Sequence, residues 1–234
     1  MDFENELIPG VLIKRYKRFF VDIKLKNKII TAHCPNPGSM IKLLDKGNPV
    51  WITKSKNVHR KLKYTLQIIQ VDKIKICINT HVTNKIVQEA INKGSIKELK
   101  DFNIIRPEKK FGKNTRFDFF LQNKVTNKKA FLEVKSVSLQ RKNYHAEFPD
   151  SVTSRGKKHL ENLVIANKQG YESYLFFLIQ IEKCKSFAIA SDIDPEYFKV
   201  FNSALKKNIN VICYDCKFTN KGIEINKKID LINE

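Results

Sequence analysis

Two short segments constrain this chain more than any other feature: Arg116-Phe117-Asp118-Phe119-Phe120-Leu121 and Phe131-Leu132-Glu133-Val134-Lys135-Ser136. Each is rich in aromatic or branched apolar residues and reads as a strand, and the polar stretch 122–129 reads as the loop between them. A hairpin folded at Val125/Thr126 sets Asp118 directly opposite Glu133. Side chains alternate faces along a strand, so Glu133 and Lys135 share a face. Phe117, Phe119, Leu121, Leu132 and Val134 are then expected on the other. The hairpin gathers two carboxylates and an amine on one patch. Close carboxylates repel, a cost that a divalent cation between them removes. An acid–acid–lysine cluster suits metal-assisted phosphodiester hydrolysis, with Asp118 and Glu133 holding Mg²⁺ or Mn²⁺ and Lys135 positioning water or stabilising negative charge. The same residues with Arg116 also make a solvated cross-strand charge pattern, and both readings stay open here.

The charge points to the substrate. With 44 basic and 24 acidic residues the chain carries a formal +20, the field of a protein that meets a polyanion, nucleic acid first. Part of that charge also fits AT-rich codon usage, since 37 of the basic residues are Lys. The seven Arg (15, 18, 60, 106, 116, 141 and 155) are more telling, because only Arg offers phosphate a planar fork. The five Cys are an odd set without a secretory leader, which predicts free thiols. Cys213 and Cys216 have CxxC spacing, but no second pair completes a zinc site. No apolar run is long enough for a membrane span, and a cytoplasmic protein is expected. Nothing marks a symmetric interface, so monomer and homodimer both stay open.

The chain reads as an α/β (α+β) protein in two parts. Residues 1–80 carry short β-rich runs at 12–13, 19–25, 29–33, 49–54, 64–71 and 74–79, separated by Gly, Pro and Asn turns. About five such strands suit a small OB-like barrel, with a sandwich fragment as the alternative. Residues 81–234 change character. Helical spacing is expected over 84–99, 151–169 and 195–207, with strands at 103–106, 115–121, 130–138, 171–181, 186–190 and 211–218. That is an αβββαβ unit around a mixed sheet.

Other segments carry candidate contacts. Lys14-Arg15-Tyr16-Lys17-Arg18-Phe19-Phe20 interleaves cations with rings, so Arg15, Lys17, Arg18 and Phe19 are candidates for phosphate and base contact. An edge strand with buried Phe is the plainer reading. Residues 54–63 add a second basic patch containing Arg60. In the stretch 148–159, Asp150, Ser151 or Thr153 can cap a helix on which Arg155 and His159 share a side, a natural phosphate site. His145 and Glu147, just upstream, fall in a segment read as a mobile flap.

The order helix, three strands, helix, strand, with Asp118 on the second strand and Glu133-x-Lys135 on the third, resembles the PD-(D/E)xK nuclease core. In that superfamily a Glu from the first helix often completes the metal site, which makes Glu89 a third candidate ligand by resemblance. Several motifs in order resemble the sugar fermentation stimulation protein family: Lys17-Arg18-Phe19, His33-Cys34-Pro35-Asn36, Gly38-Ser39-Met40, Arg116-Phe117-Asp118, Leu132-Glu133-Val134-Lys135-Ser136-Val137, and Phe148-Pro149-Asp150 through Arg155-Gly156 to His159-Leu160. Pro37 departs from that pattern, where Thr is expected. The resemblance implies an N-terminal OB-like domain, a C-terminal nuclease-like domain, DNA binding and a link to the regulation of sugar, especially maltose, metabolism.

Overall fold

A computed structural model describes residues 1–112 and 115–232. Six strands come first: β1 (Ile8–Tyr16), β2 (Phe20–Leu25), β3 (Lys28–His33), β4 (Pro49–Lys54), β5 (Tyr64–Val71) and β6 (Ile74–Cys77). They pair in the order β3-β2-β1-β4-β5-β6, and a parallel contact of His33 with Thr65 joins β3 to β5. That contact closes five strands into a barrel, with β6 outside it. The barrel interior is apolar because alternate residues point inward: Leu12, Val21, Ile23, Val50, Ile52 and Leu66 are all fully buried.

The remaining elements are α1 (Thr83–Asn92), β7 (Ile104–Phe111), β8 (Thr115–Gln122), β9 (Lys129–Val137), β10 (Leu139–Lys142), β11 (His145–Phe148), α2 (Ser154–Lys168), β12 (Glu172–Ile179), β13 (Ser186–Ile189), α3 (Pro195–Leu205), β14 (Asn210–Phe218), β15 (Ile223–Lys228) and β16 (Asp230–Leu231). The central sheet runs β15-β14-β12-β9-β8-β7. Its middle pairs are parallel and its flanks antiparallel, so it is the expected mixed sheet. Strand β12 is buried on both faces, which explains its continuous apolar run. Leu175 and Phe177 pack with Leu160 of α2 and Phe201 of α3, whereas Phe176 and Leu178 pack with Ile86 and Val87 of α1. Among the described residues no helix is long and apolar enough to cross a membrane.

Several local expectations are refined. Thr153, not Asp150 or Ser151, caps α2, its side chain accepting the Gly156 N–H at 3.1 Å. Gly170, at φ +89, follows the helix end. The stretch holding His145 and Glu147 is not a flap: it is strand β11, buried and paired in parallel with β13. Its polar residues hid it, because a short strand stacked in a second, four-stranded sheet need not alternate cleanly. All five cysteines are free and buried.

The two parts interlock. Cys77 N–H donates to Gln180 O at 2.8 Å and Glu182 N–H to Lys75 O at 3.1 Å, so β6 bonds to the segment after β12. The first residues leave the barrel altogether. Asp2 bridges to Gly222, and the Met1 amine meets Ile223 O at 2.9 Å and Glu89 at 3.0 Å.

Candidate functional site

The hairpin β8–β9 turns where its sequence predicts. Its register pairs Phe119 with Leu132 and Phe120 with Phe131, which brings Asp118, the next residue beyond the last pair, within reach of the Glu133 charge on the neighbouring strand. Phe117 departs from the expected face. It packs with Phe131 and Phe111, ring centroids 4.9 and 5.4 Å away, in the core beside α2, while Phe119, Leu121, Leu132 and Val134 lie in the core beside α1. The alternation breaks because ladder pairing stops at Phe119, and Asp118 Oδ2 accepts the Val134 N–H at 2.7 Å instead.

Asp118, Glu133, Val134 and Lys135 line a cleft of ≈ 360 Å³ together with Thr80, His81, Thr83, Asn84, Ser136, Thr153, Arg155 and Gly156. Glu133 lies at its base, 3% exposed. Lys135 Nζ donates to Glu133 Oε1 at 2.7 Å, and His159 Nδ1 lies 2.5 Å from the same oxygen. Arg155 Nε lies 3.4 Å from His159 Nε2 as its donor. That contact assigns the ring proton to Nδ1, directed at Glu133. The other carboxylate oxygen, Glu133 Oε2, is buried and has no hydrogen-bond partner among the described residues. On the facing strand, Asp118 Oδ1 accepts from Asn84 Nδ2 at 2.7 Å.

The two acids are driven apart electrostatically. Burial and the neighbouring Glu133 charge push Asp118 up to about 6, against the Val134 N–H and Asn84 bonds. Burial works to raise Glu133 too, but Lys135 and His159 outweigh it and hold that carboxyl below its ordinary value. Glu133 therefore carries the firm negative charge and Asp118 the conditional one.

The predicted residues do not all converge. Asp118, Glu133, Lys135 and Arg155 meet in the cleft. Glu89 does not: it points away on α1, bound by Lys93 at 2.5 Å and by the Met1 amine. The helix sends Asn84 from its first turn instead, because Asn84 and Glu89 are five residues apart and lie on different sides. His159 is buried against Glu133, so it supports the acid and is not placed for nucleic-acid contact. Arg15 is likewise spent internally, donating to Arg18 O, Gly38 O and Asn36 O at 2.7, 2.9 and 2.7 Å. Arg116 lies exposed beside Glu108, 3.5 Å away, outside the cleft. Lys17, Arg18 and Phe19 are exposed at the β1–β2 turn, and Arg60 stands 3.2 Å from His33 Nδ1. Among the described residues no group of three or more His, Cys, Asp or Glu is arranged as a metal cage.

Two polar neighbours of the acidic pair escape sequence reasoning. Buried Gln180 accepts from Thr83 Oγ1 at 2.6 Å and Ser136 Oγ at 2.8 Å, tying α1 to the strand that carries Glu133 and Lys135. Asn84 is the other. A polar residue ending an apolar strand, as Gln180 does, is the only signal either leaves in the sequence.

The comparisons with known proteins agree with this layout. Residues 13–78 match the family model described as the SfsA N-terminal OB domain, and residues 81–222 match the sugar fermentation stimulation protein RE domain. The chain belongs to the sugar fermentation stimulation protein family. A family homolog from Pelagibacter ubique is 50% identical over 233 residues, covering 100% of both chains. Another, from Rhodospirillum centenum, is 40% identical over 99% of each. A structure of Pyrococcus furiosus SfsA in complex with Ca²⁺ superposes with a TM-score of 0.88 over 100% of this chain and 98% of that one, at 21% identity. At that identity the match shows a shared fold, the OB barrel followed by the mixed-sheet unit.

Proposed function

We propose that this SfsA-family chain is a metal-dependent nuclease acting on nucleic acid, DNA ahead of RNA, with Asp118, Glu133 and Lys135 as its centre. One observation carries the reading. Glu133 Oε2 is a buried carboxylate oxygen with no donor among the described residues, beside a second carboxylate, in a chain of formal charge +20. Leaving such an oxygen unpaired is costly, and a divalent cation supplies the missing partner. Two carboxylates are hard oxygen donors, which suits Mg²⁺ or Mn²⁺ held by Asp118 and Glu133. The Ca²⁺ named with the Pyrococcus furiosus protein is a cation of the same oxygen-seeking class, and supports that donor chemistry. When bound, the ion would supply Lewis acidity and a more acidic water.

The chain's own groups do the rest. Lys135, fixed at 2.7 Å by Glu133, holds a positive charge where a phosphate gains negative charge. Arg155 in the cleft wall offers phosphate a fork. His159 locks the Glu133 carboxylate and links it to Arg155, so phosphate position and metal position are set together.

A second reading has its own support. The helix brings the amide of Asn84, not a third acid, which suits a fold kept for DNA binding and for regulation of sugar metabolism without cleavage. Labelled single- and double-stranded DNA and RNA, incubated with Mg²⁺ or Mn²⁺, separate the two. Cleavage that Glu133→Gln abolishes is the expected result. Salt-sensitive binding without cleavage by either protein overturns the nuclease reading in favour of the second.

A further inference from the structure

The acidic cleft is the middle of a longer groove between barrel and mixed-sheet unit. It shares Thr80, Ser136 and Thr153 with a cleft of ≈ 350 Å³ walled by Arg18, Asn36 and Asp150. On the other side it shares His81 with a cleft of ≈ 550 Å³ walled by His33, Lys56, Arg60 and Lys85. Cations therefore stand at both ends and the two carboxylates in the middle. Of the acids along the flanks, Glu147 is engaged by Arg141 and Asp150 by the Met40 N–H at 3.2 Å, while Glu4 pairs at 3.3 Å with Lys85 of its own cleft, which Asp2 also lines, so Lys56 and Arg60 carry the positive charge there.

The rim holds a ring placed for a base. Phe19 is 42% exposed, yet its inner face stacks on His33 at 6.4 Å and 28°. His33 is in turn held by Arg60 at 3.2 Å and lies 6.3 Å from the His81 ring. The turn that presents Phe19 is tight, with Lys17 and Arg18 both at positive φ and the Phe19 N–H on Lys17 O at 2.6 Å. An exposed aromatic on a fixed turn, backed by a second ring, is a stacking platform. It also puts Arg18 in the wall of one cleft and the Phe19–His33 stack beside another.

We infer that the chain takes its nucleic acid as a single strand laid along this interdomain groove, with a base on Phe19 and the backbone passing Arg60, His81 and Arg155 across the acidic centre. The physical reason is access. Glu133 is 3% exposed at the base of a nucleotide-sized cleft, and the clefts that flank it on either side take walls from both parts of the chain. A duplex is a stiff rod, with a persistence length of about 150 base pairs, and its stacked bases offer Phe19 no free face. A single strand bends into the cleft and unstacks at little cost.

This inference rests on the acidic centre being the nuclease site, and the test separates the two. The full chain carrying Glu133→Gln, with Mg²⁺, is titrated against one labelled oligonucleotide presented as single strand and as blunt duplex, in DNA and RNA forms. Tighter single-strand binding, by about tenfold or more, is expected, and Phe19→Ala added to it should weaken single-strand binding about tenfold while leaving duplex binding unchanged. The DNA and RNA arms identify the sugar preferred. Phe19 is exposed, so its loss does not threaten the fold; Arg60→Gln is a second variant with the same expected direction. Equal affinity for both forms, or no effect of Phe19→Ala, overturns the inference. Duplex cleavage by the wild type as fast as single-strand cleavage overturns it while leaving the nuclease reading intact. Preferred single-strand binding without any cleavage sinks the nuclease reading and keeps the strand path.

Discussion

Asn84 donates from Nδ2 to Asp118 Oδ1 at 2.7 Å, so the first helix meets the acidic pair with an amide and adds no third charge. Replacing it by Asp reverses that choice. Asn84→Asp loses a donor worth about 1–3 kcal/mol and adds repulsion, so the metal-free protein is expected to unfold at lower temperature. Added Mg²⁺ should stabilise this variant more than the wild type. Thermal unfolding in chelator and in Mg²⁺ checks both; equal Mg²⁺ shifts for the two proteins contradict the assignment.

The raised Asp118 carboxyl predicts a pH dependence of stability. An acid whose folded pKa lies above its ordinary value resists ionisation in the folded state, so the metal-free protein loses stability as pH rises from the ordinary range near 3.8 to about 6, then levels off. Glu133 works with the opposite sign: its depressed pKa contributes stability above the ordinary 4.5 that is lost only as pH falls further. Urea unfolding in chelator across this window should show the decline, and Mg²⁺ should abolish it. A rise in metal-free stability from pH 4.5 to 6 would contradict the Asp118 assignment.

His159 is a positioning residue for Glu133. His159→Ala should cost about 10–100-fold in metal affinity or in any activity, as removal of a ligand's supporting partner does. His159→Gln, which keeps an N–H donor, should restore much of it. Because the histidine helps hold the Glu133 pKa down, the stability lost in His159→Ala should be greatest at neutral pH and vanish in acid. Isothermal titration with Mn²⁺ and unfolding at both pH values make the test, and a variant that binds metal like the wild type refutes the role.

Gly38 is required by a neighbour 112 residues away in sequence. A Cβ there would lie 2.0 Å from Asp150 Oδ2 and 2.4 Å from Oδ1, closer than atoms approach. Gly38→Ala should destabilise by about 1–3 kcal/mol through overpacking. Asp150→Ala, which relieves the crowding but frees the Met40 N–H, should give a non-additive double-mutant cycle in thermal unfolding.

Arg15 and Arg18 lie three residues apart and should behave oppositely. Arg15 holds three backbone carbonyls, so Arg15→Ala should lower stability by about 1–3 kcal/mol. Arg18 is exposed in the groove wall, so Arg18→Gln should leave the melting temperature unchanged and reduce the salt slope of DNA binding by about 1. Fluorescence anisotropy across salt concentrations measures the second effect. Loss of DNA affinity by Arg15→Ala at unchanged stability would reverse the roles.

The local pattern was legible where one physical rule dominated. Period-two alternation and a polar turn predicted Asp118 opposite Glu133, an apolar run marked β12 as a strand, and the β-rich run from Val211 marked β14. Helical spacing found α2 and α3 to within a few residues of their ends, but carried α1 on to Leu99 where the helix ends at Asn92. Strand β7 was half missed because the part beyond Arg106, Pro107 to Lys110, is exposed and mostly charged at a sheet edge, where burial imposes no pattern.

By itself the sequence determined the acid–acid–lysine hairpin, the two-part order of barrel and mixed sheet, and the basic field around them, because each depends on neighbours along one or two strands or on summed charge. Only the tertiary structure decided which distant groups meet that hairpin. It turned Glu89 outward to the Met1 amine, brought Asn84 to Asp118, buried His159 against Glu133 and spent Arg15 on backbone carbonyls. Those outcomes turn on helix rotation and domain docking, which fix a side chain's direction through packing between segments tens of residues apart, and no local periodicity carries that information.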